Sequence, residues 1–215
     1  HVVHQHDLRS YHTAAVAASR GLDPYDPAVL ARVAGRPILP FVYPPVALLA
    51  FLPSARLPFH AFATGWMAFQ LLLLAALTIG WARSLPAGPR WTTAALIVAF
   101  GSNASARAGL FSGNVAILEC ALVWAALACF AAERRVAFAL LIVAAAIFKL
   151  APAALLVLLL VPTARRQGSV GAFLLASALV VALAFGPLAF GPAAGWTHFW
   201  SHLPPADALG AANPS

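Results

Sequence analysis

From about residue 59 to about residue 187 the chain alternates between long apolar runs and short breaks of Arg, Pro and Gly, and before residue 59 it does not. The first run, about 59–82, carries no charge before Arg83. A second covers about 91–108 and is weakened by Gly101-Ser102-Asn103. A third, about 114–132, is closed by Glu133-Arg134-Arg135, and a last one covers about 168–187. Runs of this length predict membrane-spanning helices, because lipid offers backbone N–H and C=O groups no partner outside a helix.

The stretch 136–162 admits two readings. As one helix it would be ~40 Å long, more than the ~30 Å hydrocarbon core needs, with Lys149 and Pro152 in its middle. As two short arms, 136–148 and 150–162, it would return to its starting side. The second reading puts Arg83 and Arg90, Arg134-Arg135 and Arg165-Arg166 on one face, as the positive-inside rule requires. A broken hairpin is therefore expected, within about six crossings over 59–190. Residues 1–58 and 191–215 then both lie outside, with Trp196 and Trp200 as interfacial anchors.

Residues 1–58 read as an external loop carrying short amphipathic helices. Asp7 is placed to N-cap a helix over about 8–19, with Gly21 at its C′ position. Asp23-Pro24 marks a turn or a second helix start, and Asp26 is a further turn or cap residue. Tyr43-Pro44-Pro45 ends whatever precedes it and opens a short helix over Val46–Leu52, too short to cross.

Composition sharpens the class. Of 215 residues 62% are hydrophobic and 9% charged, with mean hydropathy +0.87, against about 25% charged in ordinary globular chains. The expected fold is an all-α polytopic membrane protein. The net charge of +7 comes from Arg residues scattered between apolar runs, which fits orientation in a membrane and not nucleic acid. Cys120 and Cys129 share one apolar run and read as small buried hydrophobes. The chain opens on His and ends in Ala211-Ala212-Asn213-Pro214-Ser215, so it reads as a fragment of a longer protein with at least one span before His1.

Few polar residues remain to carry chemistry. Lys149 at the hairpin tip would lie below the outer surface, where a cation needs a wet cavity or an anion. Glu119 lies inside a span: a second acid/base, a protonated carboxyl, or, as favoured here, a partner for Arg107 or Lys149. His1, His4, His6 and His12 lack the spacing a helical metal site needs, so no metal is expected. The glycine-rich and Walker nucleotide signatures are missing.

Asp7-Leu8-Arg9-Ser10-Tyr11, Gly21-Leu22-Asp23-Pro24-Tyr25 and Phe41-Val42-Tyr43-Pro44-Pro45 together resemble the first external loop of glycosyltransferase family 87. Gly113-Asn114-Val115 resembles that family's Gly-Gln-x-Asn element, Lys149-Leu150-Ala151-Pro152 its Lys-x-x-Pro, and Asn213-Pro214-Ser215 its Asn-Gln-Ser. The chain departs from these patterns at Asn114, Ala116 and Pro214. The resemblance implies a GT-C-like helical bundle in the bacterial plasma (inner) membrane, its active-site loop facing the periplasm or exterior. It implies transfer of a sugar, of the mannose or arabinofuranose class, from a polyprenyl-phosphate donor to a glycan or glycolipid acceptor, with inversion and without a cofactor. Asp7 would be the catalytic base, Lys149 with Arg107 would hold the donor phosphate, and Tyr43, Asn114 and Glu119 are candidate substrate-binding residues. A transporter or lipid flippase using Lys149 and Glu119 is the main rival, disfavoured because only one half of the chain shows a broken helix; an inactive scaffold of the same fold is the other.

Overall fold

The computed structural model describes residues 5–84, 104–162 and 167–185, together with Phe199 and Ser201. Arg90, Gly101-Ser102-Asn103, Arg165-Arg166, Trp196, Trp200, Asn213-Pro214-Ser215, His1, His4 and most of the run 91–108 lie outside them. Among the described residues every regular element is helical.

The N-terminal region folds as α1 (His6–Ser19), α2 (Pro27–Ala34) and α3 (Pro45–Phe51), the last running into a 3₁₀ helix over Leu52–Arg56. α1 does not start at an Asp7 cap. Gln5 turns the chain with φ 65°, its N–H donating to the Phe111 carbonyl, and Asp7 already lies in the first helical turn. The C-terminus of α1 closes on Gly21 (φ +70°), with Gly21 N–H donating to Ala18 and Leu22 N–H to Ala17. This Schellman geometry needs the left-handed conformation that glycine adopts freely. α2 begins at Pro27 and not Pro24, because Asp26 accepts from the Ala28 N–H at 2.7 Å, while Asp23 closes a turn onto Tyr25 N–H at 2.8 Å.

The apolar face of α1 organises the first core. Leu8, Tyr11, Ala14 and Ala15 pack on Tyr25, Leu30, Phe41, Leu48 and Phe51. Tyr11 sits at its centre, 4.8 Å from the Phe51 ring and edge-on to Tyr43 at 5.2 Å. Burying one such Leu or Phe contributes about 1.5–3 kcal/mol, and residues 5–58 supply most of this core. Val115 and Phe148 reach into it from much later in the chain.

Beyond the loop come α4 (Phe59–Ser84), α5 (Ala104–Ser112), α6 (Ala116–Ala131), α7 (Arg135–Ala146), a second 3₁₀ helix (Ala151–Leu160) and α8 (Val170–Phe185). Their outer faces are apolar: Leu72 is 69% exposed, Val136 75% and Leu175 74%. Helices apolar all round are built for lipid or a core, not for water. Phe59–Gly80, 22 residues, is the one stretch among the described residues long and apolar enough to cross a bilayer.

The second core lies between α7, the second 3₁₀ helix and α8, around Phe138, Ile142, Leu156, Leu159 and Val180. The segment after Lys149 winds as a 3₁₀ helix where an α-helical arm is expected, and nothing in its sequence explains the tighter winding. Arg135, largely buried, ties the start of α7 to the end of that segment, donating to the Leu159 and Val161 carbonyls at 2.8 and 2.7 Å. Ser169 N–H shares the Leu159 carbonyl and its hydroxyl caps α8 at Ala172 N–H. Two segments therefore run side by side with their ends clasped.

Candidate active site

Asp7 Oδ2 accepts a hydrogen bond from Asn114 Nδ2 at 2.9 Å, joining residues 107 positions apart. Its other oxygen, Oδ1, stands 3.5 Å from His6 Nε2. The contact depends on a turn between α5 and α6. Gly113 adopts φ +75° and lies so close to α1 that a Cβ there would sit 2.6 Å from Leu8 Cβ. The next residue, Asn114, accepts from Ala116 N–H at Oδ1, which leaves its amide nitrogen pointing at Asp7.

α4 holds this turn from the other side. Trp66 Nε1 donates to the Gly113 carbonyl at 3.0 Å and Gln70 Nε2 to the Asn114 carbonyl at 2.6 Å.

A second polar pair lies on α6 and the segment after α7. Lys149 Nζ stands 3.6 Å from Glu119 Oε2. Lys149 is brought here by its neighbour Phe148, which buries its ring in the loop core against Phe51. Tyr43, buried in the loop core, feels the charge of one carboxylate from each pair. Burial, followed by the charges of Asp7 and Glu119, pushes its phenol up to about 12, against opposing hydrogen bonds from Tyr11 and Asn114. Its hydroxyl meets that of Tyr11 at 3.0 Å. Tyr11 is raised well above the ordinary range, first by burial and then by Tyr43 and Asp7. Both phenols are neutral at physiological pH and serve as donors and acceptors, not as charges.

The structure thus joins Asp7 to Asn114 and Glu119 to Lys149, with Tyr43 near enough to both carboxylates to feel their charge. Arg107 is not among them: it is exposed on α5, and no hydrogen bond or ion pair among the described residues joins it to the site. His12 donates to the Leu57 carbonyl and stacks on Phe62, a role in loop packing. Among the described residues no three His, Cys, Asp or Glu side chains converge on a point. Trp66 and Gln70 were not singled out from sequence. A lone amide in the apolar run 59–82 was the signal available for Gln70, since polar groups in spans are costly.

Helices throughout the described residues, apolar outer faces and one stretch long enough to cross a bilayer are the features of a helical membrane protein, and two polar pairs, Asp7 with Asn114 and Glu119 with Lys149, lie within it. The family model for glycosyltransferase family 87 matches residues 41–215, and the chain belongs to that family. No curated protein and no solved structure matches it. Membership makes it a membrane glycosyltransferase in general terms. The matched range includes Tyr43, Asn114, Glu119 and Lys149 but begins after Asp7, so Asp7 is tied to the site by geometry alone.

Proposed function

We propose that the protein transfers a sugar of the mannose or arabinofuranose class from a polyprenyl-phosphate donor to an external glycan or glycolipid hydroxyl, inverting the anomeric centre. One arrangement supports this reading: Asn114 binds the Asp7 carboxylate and Glu119, five residues further along, pairs with the Lys149 ammonium, so one short stretch holds a proton acceptor and a cation that are 142 positions apart in sequence. Such a transfer needs a proton acceptor on one side of the sugar and a cation on the other. The acceptor hydroxyl gives its proton to Asp7 while its oxygen bonds to the anomeric carbon. The bond from that carbon to the phosphate oxygen breaks, and its electron pair leaves with polyprenyl phosphate. At 3.6 Å the Lys149–Glu119 contact is looser than a hydrogen bond, so the ammonium can exchange its carboxylate for the donor phosphate. An apolar groove of about 540 Å³ between α4 and α6, lined by Leu73, Leu77, Gly80 and Trp124, suits the isoprenoid chain.

The architecture that goes with this chemistry is a GT-C-like bundle in a bacterial plasma membrane. Residues 1–58 form the outer catalytic loop, 59–190 about six crossings with a broken hairpin over 136–162, and 191–215 lie outside again. Two features support the hairpin. α7 and the following 3₁₀ helix measure about 18 and 20 Å, short of the ~30 Å core. Arg135 also clasps their far ends together.

The test is sugar transfer from a lipid-linked donor by the intact protein. Asp7→Asn can still accept from Asn114 and should fold, bind donor and lose ~10²–10⁴-fold in turnover. Lys149→Gln should raise the donor KM as well as lower kcat, since its charge faces phosphate before and during reaction. Turnover of Asp7→Asn within a few-fold of the parent would refute the base.

A further inference from the structure

Gln70 is fully buried within the spanning stretch Phe59–Gly80, and its Oε1 has no hydrogen-bond partner among the described residues. A buried amide in such a helix costs free energy that packing alone would not require. What it does hold is specific. Its Nε2 donates to the Asn114 carbonyl at 2.6 Å, one turn along α4 from Trp66, whose indole N–H donates to Gly113. Neither residue is shown in contact with Asp7, yet between them they grip both carbonyls of the turn whose side chain does touch it.

The consequence concerns which oxygen of Asp7 is free. The Asn114 amide saturates one direction at Oδ2 and fixes the carboxylate plane, while Oδ1 faces His6 and the half-exposed side of the site. We propose that Gln70, assisted by Trp66, is a positioning residue: by clamping the Gly113–Asn114 turn it holds the Asn114 amide on Oδ2 and presents Oδ1 to the acceptor hydroxyl. The inference rests on the reading of Asp7 as base. A misplaced carboxylate slows proton transfer without weakening the grip on either substrate, because small errors of alignment are felt in the transition state.

The experiment compares Gln70→Met, Gln70→Glu, Trp66→Phe and Asp7→Asn in the intact protein, with kcat and KM for lipid-linked donor measured across pH. Gln70→Met keeps the volume but cannot donate; its kcat should fall about tenfold at every pH with KM unchanged. Gln70→Glu, buried in apolar surroundings, stays protonated at lower pH and can then donate to the Asn114 carbonyl. Relative to the parent it should be nearly as fast on the acid side and fall to the Gln70→Met level as pH rises. Trp66→Phe should lower kcat several-fold at constant KM, and it stands in if Gln70→Met does not fold. If Asp7→Asn is inactive while Gln70→Met turns over within twofold of the parent, the clamp is refuted and the base survives. An active Asp7→Asn removes both. Equal, pH-independent losses in Gln70→Met and Gln70→Glu would reduce Gln70 to packing and overturn the proposal.

Discussion

Replacing Gly113 by Ala tests the closest approach in the site. Gly113 sits at φ +75°, where an L-residue costs about 1–2 kcal/mol. Its added Cβ would also lie 2.6 Å from Leu8 Cβ and 3.5 Å from the Leu8 backbone nitrogen, so α1 must move away from the turn. Overpacking of this kind costs a further ~1–3 kcal/mol, giving about 2–5 kcal/mol in all. Two other glycines provide the control. Gly21 and Gly35 have φ of +70° and +69° but nothing within 4 Å of an added Cβ, so alanine there should cost the conformational part alone. Thermal or denaturant unfolding of the three variants in detergent isolates the clash as their difference. Activity should separate them more sharply. Asp7 is next to Leu8, and a shift of about 1 Å in α1 is enough to break a 2.9 Å hydrogen bond to Asn114. Gly113→Ala should lose transfer, while the other two keep it. Equal stability and equal activity across the three would mean that α1 does not rest on this turn.

Two further outcomes follow from the geometry. Cysteines placed at Glu133 and Val161 should react with an impermeant reagent from the same face of the membrane, opposite to one at the exposed Leu22; labelling of 133 and 161 from opposite faces would make 136–162 a single crossing. All three tyrosines, 11, 25 and 43, have folded pKa values raised above the unfolded value, so their stabilisation is full below pH ~10 and is lost as pH climbs through the folded values. For Tyr43, at about 12, that loss is about 3 kcal/mol between pH ~10 and ~12. Phenolate absorbance should therefore appear late and together with loss of tertiary fluorescence; early titration with the loop intact would contradict the burial.

What the sequence disclosed was governed by how local each cause is. Gly21 and Asp26 act on backbone groups a few residues away, and their turn and cap roles are readable from residue type. The start of α1 departs from the sequence expectation because its determinant is distant: Gln5 is fixed by the Phe111 carbonyl, which no local pattern announces. The site residues divide in the same way. Asp7, Asn114 and Lys149 stood out as polar groups in short motifs, and Glu119 as a carboxylate inside an apolar run. That Glu119 would meet Lys149 and not Arg107 depends on Phe148 entering the loop core. Gln70 is inconspicuous in the sequence because an uncharged amide barely disturbs the hydropathy of a long run.

Helix lengths suggest why the site needs that clamp. At 1.5 Å per residue, Trp66 and Gln70 lie about 10 and 16 Å along α4 from Phe59, so the Gly113–Asn114 turn meets that helix well along its length and not at its Phe59 end. α6 starts beside them and runs 16 residues, about 24 Å, while the remainder of α4 from Gln70 to Ser84 measures about 21 Å. On the proposed topology the shortness of α6 sets the depth of the site. On the proposed topology the 12 residues of α7 likewise lead to Lys149 below the surface. A lipid-linked phosphate at the membrane surface could be met by a cation in the loop, whereas one drawn below it needs Lys149 brought down on a short helix. On the proposed mechanism the proton acceptor must then be lowered to the same depth from a loop outside the membrane. The close contact of Leu8 with Gly113, backed by Trp66 and Gln70, brings Asp7 to that level.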